Sequence, residues 1–243
     1  MLFDTHCHLD AKQFENKINE VVDNAKKNNV KKILIPAIKP GLPKVKIKNV
    51  FLATGSHPYH SNETLKNKQK IIDGLKDAVA IGETGLDFFK CPIGKKVQIE
   101  SLEFQCELAT KNNMPIILHE RESFIELIEI IKKYPGITGV FHAFHHSEKE
   151  LKQIIDLNFY VGLGGMVTYK SNDALRSAIK KGPMERFILE TDSPYLPPQN
   201  KRGQVNQPAN LLDIAKHISL IKNKTLDDIS LITTENANRL FKL

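Results

Sequence analysis

Short apolar runs alternate with longer amphipathic segments from one end of the chain to the other. The short runs predict eight strands, over Met1–His6, Lys32–Ile38, Val50–Gly55, Ala78–Gly82, Pro115–His119, Gly139–His142, Tyr160–Gly164 and Phe187–Thr191. Several are continuously apolar, such as Ile33–Ile38 and Pro115–Leu118. Parallel strands covered on both faces read this way, whereas half-exposed strands alternate. Between most of them lie helical segments: Glu15–Asn28, Lys95–Asn112, Ser123–Tyr134, Ser147–Leu157 and Ser171–Lys181. Two more, Ala209–Ile221 and Thr225–Phe241, follow the last strand, the second opening on a Thr225/Asp228 capping arrangement.

Strand–helix alternation predicts parallel β/α architecture. Eight units in 243 residues leave about thirty residues each, the size of a (β/α)8 TIM-barrel repeat. An open doubly wound sheet is the alternative, but it usually carries a Gly-rich phosphate loop after its first strand, where this chain has histidines. The expected fold is therefore a single-domain α/β barrel over residues 1–243. Its second unit is shortened by Pro40, Gly41 and Pro43, and extra helices close the C-terminus.

Composition changes little. Hydrophobic residues make up 41% and charged residues 26%, ordinary for a soluble globular domain. No apolar run approaches the roughly 18 residues of a membrane span. Without an export signal the cytoplasm is the expected compartment, and size alone suggests a monomer. The net charge of +7 suits a polyanionic partner. Yet lysine greatly outnumbers arginine and is scattered, so charge adds weak support for nucleic acid. Cys7, Cys91 and Cys106 are odd in number and widely spaced, which supports neither disulfides nor a zinc knuckle.

The chemistry lies at strand ends, where barrels of this kind carry reactive groups. His6 and His8 follow the first run, Glu83 the fourth, His119 the fifth, His142 the sixth and Asp192 the eighth. In an extended run His6 and His8 share a face, and Cys7 points the other way as a buried apolar residue. A lone histidine after an apolar run is usually a hydrogen-bonded loop residue. Six such groups at the ends of five strands predict a shared metal site. Imidazole and carboxylate together suit Zn, Mn, Ni or Fe, with Mg favouring more oxygen. Six ligands exceed the needs of one hydrolytic ion, so two divalent ions bridged by Glu83 are expected, with Asp192 as proton acceptor.

The strings DTHCHLD, GETGLDFF, LHERES, FHAF, ETDSPYLPP and RGQVNQP, in this order, resemble the TatD family of metal-dependent deoxyribonucleases, a branch of the amidohydrolase-like TIM barrels. The resemblance spans nearly the whole chain. It implies metal ligation by His6, His8, Glu83, His119, His142 and Asp192, and hydrolysis of DNA, often from a 3′ end. Besides its shortened second unit, the chain departs from the family pattern in two places. Ala143-Phe144-His145-His146 stands where Cys-Phe-Ser-Gly is common, and Gln207 where Glu is frequent.

Further candidates are His57, Arg121 and Arg202 for substrate phosphates, Phe88 and Phe89 for base stacking, and Glu190 as a buttress behind a ligand. Each has a plainer reading as a structural loop residue, an ion-pair partner or a packed aromatic. Two other functions remain open at this level. One keeps the metals but hydrolyses a small ester, lactone, amide or phosphate; the other is a non-enzymatic nucleic-acid-binding protein.

Overall fold

Each apolar run becomes a strand in the computed structural model, which describes residues 1–243. The strands are β1 (Leu2–Asp4), β2 (Val30–Ile35), β3 (Val50–Thr54), β4 (Ala80–Asp87), β5 (Ile116–Arg121), β6 (Gly139–Phe141), β7 (Tyr160–Leu163) and β8 (Phe187–Leu189). They pair in parallel in sequence order. Closure comes just beyond β1 and β8. The Thr5 amide donates to Leu189 O at 3.0 Å, the Asp192 amide to His6 O at 2.8 Å and the His8 amide to Ser193 O at 2.7 Å. The buried Asp4 carboxylate accepts the Thr191 amide (2.9 Å) and hydroxyl (2.6 Å), stapling the first strand to the last.

The outer ring comprises α1 (Ile18–Lys27), α2 (Ser61–Lys66) and α3 (Lys68–Gly74), then α4 (Lys95–Asn112), α5 (Phe124–Ile131), α6 (Glu148–Asp156), α7 (Asp173–Lys181) and α8 (Leu211–Lys222). Between β2 and β3 there is no helix. Pro40 and Pro43 withhold amide donors there, and Gly41 is instead tied to Gly55 by two 3.1 Å bonds. The short α2 and α3 carry too few apolar residues to stand out in the sequence. Of the two C-terminal helices, α8 completes the ring, so one extra helix remains. This is α9 (Leu226–Phe241), capped by the predicted Thr225/Asp228 box.

Two apolar clusters divide the interior. The larger, of 43 buried residues, lies between strands and helices. The smaller takes one residue from each strand (Phe3, Leu34, Ala53, Ala80, Ile117, Val140, Tyr160 and Ile188) together with Ala237, Leu240 and Phe241 of α9. Helix α9 thus plugs the N-terminal floor of the barrel. Its Thr234, Asn236 and Asn238 bond to Met1, to Met184 and Phe187, and to Lys32. Burying each large apolar side chain is worth about 1.5–3 kcal/mol, whereas the exposed i,i+3 ion pairs contribute about 0.5 kcal/mol or less. The apolar layers decide the fold.

Strand β4 runs well past its predicted end at Gly82 and is irregular. Its register against β5 shifts between Ile81 and Thr84. The shift inverts parity: Ala80 faces the barrel interior, so strict alternation would send Glu83 outward among the helices. After the shift Thr84 bonds to Gln105 of α4 instead, and Glu83 turns inward. Gly82 (φ 148°) and Gly85 (φ 145°) make this possible. A Cβ on Gly85 would lie 1.9 Å from His119 O. Gly85→Ala is therefore expected to cost at least about 3 kcal/mol in urea unfolding. Gly94→Ala, where nothing lies within 4 Å, should cost less than about 1 kcal/mol. Equal effects would contradict the role given to the bulge.

Candidate metal centre

All six residues expected to meet do meet, at the C-terminal mouth of the barrel. Simple alternation delivers three of the six there, together with Glu190. On β5, Ile117 is interior and His119 follows two residues later. On β6 and beyond, Val140 leads to His142. On β8 and beyond, Ile188 leads to Glu190 and Asp192. His6 and His8 arrive past the end of β1, with Cys7 between them buried in the outer apolar layer.

Glu83 occupies the middle, 2% exposed. Its Oε2 lies 3.1 Å from His6 Nε2 and 3.5 Å from His8 Nε2. Its Oε1 lies 3.0 Å from His119 Nδ1 and 2.9 Å from His142 Nε2. One carboxylate thus faces two imidazole pairs, one with each oxygen. Asp192 adds Oδ1 at 3.3 Å from His8 Nε2 and 3.7 Å from His6 Nε2. Burial opposes ionisation of Glu83, but the surrounding imidazoles, His142 foremost, outweigh it and hold the carboxyl well below its usual range. Asp192 is likewise lowered against its burial, chiefly by the hydrogen bond from His8. Glu83 and Glu190 raise His142 well above the ordinary imidazole value in spite of its burial.

These donors fit divalent metal. His6 Nε2 and His8 Nε2 approach to 3.2 Å, as do His119 Nδ1 and His142 Nε2. Facing ring nitrogens at that distance need either a shared proton or a cation between their lone pairs. Ligands about 2.1 Å from one ion sit roughly 3.0–3.4 Å from each other, which matches the spacings found. No protein group lies within hydrogen-bond distance of Nδ1 of His6, His8 or His142, Glu190 standing 3.7 Å from the last, so the close polar contacts of these rings are within the cluster.

Neighbouring groups hold the ring of ligands in place. Asp87, buried on the same extended strand as Glu83, places Oδ2 3.4 Å from His119 Nε2 and spends Oδ1 on the Phe89 and Lys90 amides. Burial resists its ionisation, but the bonds from His119 and those amides bring it down to about 2. Glu190 lies 3.7 Å from His142 Nδ1 and accepts the Ala143 amide. His57 Nδ1 accepts the Tyr59 amide, which leaves the ring proton on Nε2, 3.6 Å from Glu83 Oε1. Burial, with His119 and His142 nearby, lowers His57 to about 3, so it is a neutral donor.

A family model described as "TatD related DNase" matches residues 3–242. The chain belongs to the TatD family. YabD of Bacillus subtilis, named an uncharacterized metal-dependent hydrolase, is 34% identical over 254 residues, covering 100% of both chains. Escherichia coli K12 YcfH, similarly named, is 32% identical over 254 residues, covering 100% of this chain and 96% of its own. The crystal structure of YjjV, a TatD homologue from E. coli K12, has a TM-score of 0.88 at 27% identity, covering 100% of this chain and 98% of that one. The protein is a TatD-family metal-dependent hydrolase, and no helix in it is long and apolar enough to cross a membrane.

The outer candidates of this TatD-family chain divide. Arg121 lines the mouth beside His119, stacked 4.2 Å over the Phe89 ring and free of any carboxylate partner. Arg202 lies over Tyr169, outside the residues lining the mouth. Phe88 packs on the core, and Gln207 braces the late loop by accepting from Asn24. Sequence reasoning missed Asp87 as the partner of His119, although it follows Glu83 by four residues, an even spacing along a strand. It also missed Tyr195, half-exposed with its ring 5.9 Å from that of His8. Asp87→Asn keeps an oxygen for the two amides but offers His119 an NH2. It is expected to weaken divalent-metal affinity about 10–100-fold with little change in Tm; unchanged affinity by calorimetry would contradict the orienting role.

Proposed function

We propose that the protein is a divalent-metal-dependent deoxyribonuclease that hydrolyses phosphodiester bonds of DNA from a 3′ end. The observation that carries this is Glu83, whose two oxygens face separate imidazole pairs. In this reading His6, His8 and Asp192 hold one ion and His119 and His142 the other, with Glu83 shared. When bound, such a pair lowers the pKa of a water and draws charge from the phosphate oxygens. The family description supports DNA as substrate, and the net charge of +7 agrees with a polyanion.

The chain's own groups have distinct roles. Asp192, ionised and fixed by His8, accepts the proton of the attacking water. Neutral His57 donates Nε2–H to a phosphate oxygen. The Arg121 guanidinium, over the Phe89 ring, takes a second oxygen through its planar fork. Glu83 is not a free base, since both of its oxygens are engaged. His6, His8, Glu83 and His142 are all buried, which strengthens the electrostatic contacts among them.

Purified protein is expected to shorten a 5′-labelled single-stranded oligonucleotide with Mg or Mn, and to stop on addition of EDTA. Asp192→Asn should lower turnover about 10²–10⁴-fold with the fold intact by circular dichroism. Wild-type turnover in that variant would remove Asp192 from the mechanism. Intact DNA alongside rapid cleavage of a small ester or lactone under the same metals would replace the nuclease reading with the small-molecule one.

A further inference from the structure

A second group of metal-binding side chains stands on the rim of the mouth, apart from the six residues at its centre. Glu120 at the end of β5, and His145 and His146 on the loop between β6 and α6, bring one ligand atom each within 4.8 Å of one another. His146 Nε2 is 2.5 Å from Glu120 Oε2. The other oxygen of Glu120 accepts the Ser123 amide at 2.7 Å and its hydroxyl at 3.3 Å. The carboxylate is 4% exposed and cannot swing away to solvent.

The orientation of His145 distinguishes this cluster from a plain ion pair. Its Nδ1 lies 3.0 Å from Ala143 O. A carbonyl only accepts, so Nδ1 carries the proton and Nε2 presents a bare lone pair. Metal-ligating histidines are characteristically fixed in this way, by donation of the other ring N–H to a backbone carbonyl. The two imidazoles lie side by side, centroids 4.2 Å apart and tilted by 31°. The Phe124 and Phe144 rings, 5.0 and 5.9 Å from His146, supply an apolar surround that holds its ring in place. A salt bridge to Glu120 would need only His146. The adjacent His145, the exposed member of the three, adds a second nitrogen already fixed by its bond to Ala143 O.

We propose that Glu120, His145 and His146 form a separate rim site for a divalent transition metal such as Zn²⁺, Ni²⁺ or Cu²⁺. Two imidazoles and one carboxylate suit these ions and not Mg²⁺. Three protein ligands leave a fourth position for water or an anionic oxygen. The bound ion would offset the negative charge of Glu120, the residue that precedes Arg121.

The test counts metal without any DNA, so it stands apart from the nuclease reading. EDTA-stripped full-length protein is dialysed against low-micromolar Ni²⁺ or Zn²⁺ and its metal content measured by plasma mass spectrometry. Wild type should retain one equivalent more than His145→Ala and one more than the His145→Ala/His146→Ala double variant. In calorimetry the affinity for that equivalent should fall at least tenfold in the single variant. His145 is exposed, so its truncation leaves the fold in place even if the double variant does not. Equal metal content in wild type and His145→Ala would overturn the proposal.

Discussion

The Glu83 carboxylate has four ring nitrogens within 3.5 Å and almost no contact with solvent. Left unpaired, a buried carboxylate costs several kcal/mol after every relaxation the protein can make. Here both oxygens are answered, each by a different pair of imidazoles, so neither end of the anion depends on a single histidine. Such a cluster is a poor way to gain stability, because well-packed apolar residues of the same volume do as well or better. Its persistence at the barrel mouth is instead explained by what it can hold. Everything nearby serves that anion: the β4 bulge turns it inward, Gly82 and Gly85 let the backbone take the shape, and Asp87 orients one of its imidazole partners.

The barrel seam does the same for the remaining ligands. His6 and His8 come from the start of the chain and Asp192 from near its end. They become neighbours because Asp4 takes the amide and hydroxyl of Thr191, and because backbone bonds continue the pairing past β1 and β8. Fold closure and assembly of the candidate site are one event at this seam. The opposite end of the barrel is treated differently. There α9 seals the floor with Leu240 and Phe241, packing against the apolar interior layer. Polar chemistry is thereby confined to the mouth, the end at which barrels of this type carry their reactive groups.

What could be read from the chain follows from the two-residue period of a strand. His119, His142 and Asp192 lie at even spacing from interior apolar residues, so their inward direction needs no knowledge of the fold beyond the strand itself. Glu83 is different. Its spacing from Ala80 is odd, and only a bulge carries it inside; the predicted strand stopped at Gly82, which hid both the bulge and Asp87 beyond it. The helix missing after β2 was visible in its prolines, whereas α2 and α3 were hidden by their polar composition. Glu120 and the two rim histidines lie 25 residues or so apart in sequence. Their meeting depends on β5 and β6 being neighbours, a tertiary fact that local pattern does not carry.

On the proposed reading, the Glu83 carboxylate is shared between two metal positions. A crystal grown with Mn²⁺ or Zn²⁺ and measured across the metal absorption edge tests it most directly. Two anomalous peaks are expected within the mouth, about 3.5–4 Å apart, one bonded to each oxygen of Glu83. A lone ion held by histidines with Glu83 outside bonding distance would contradict it.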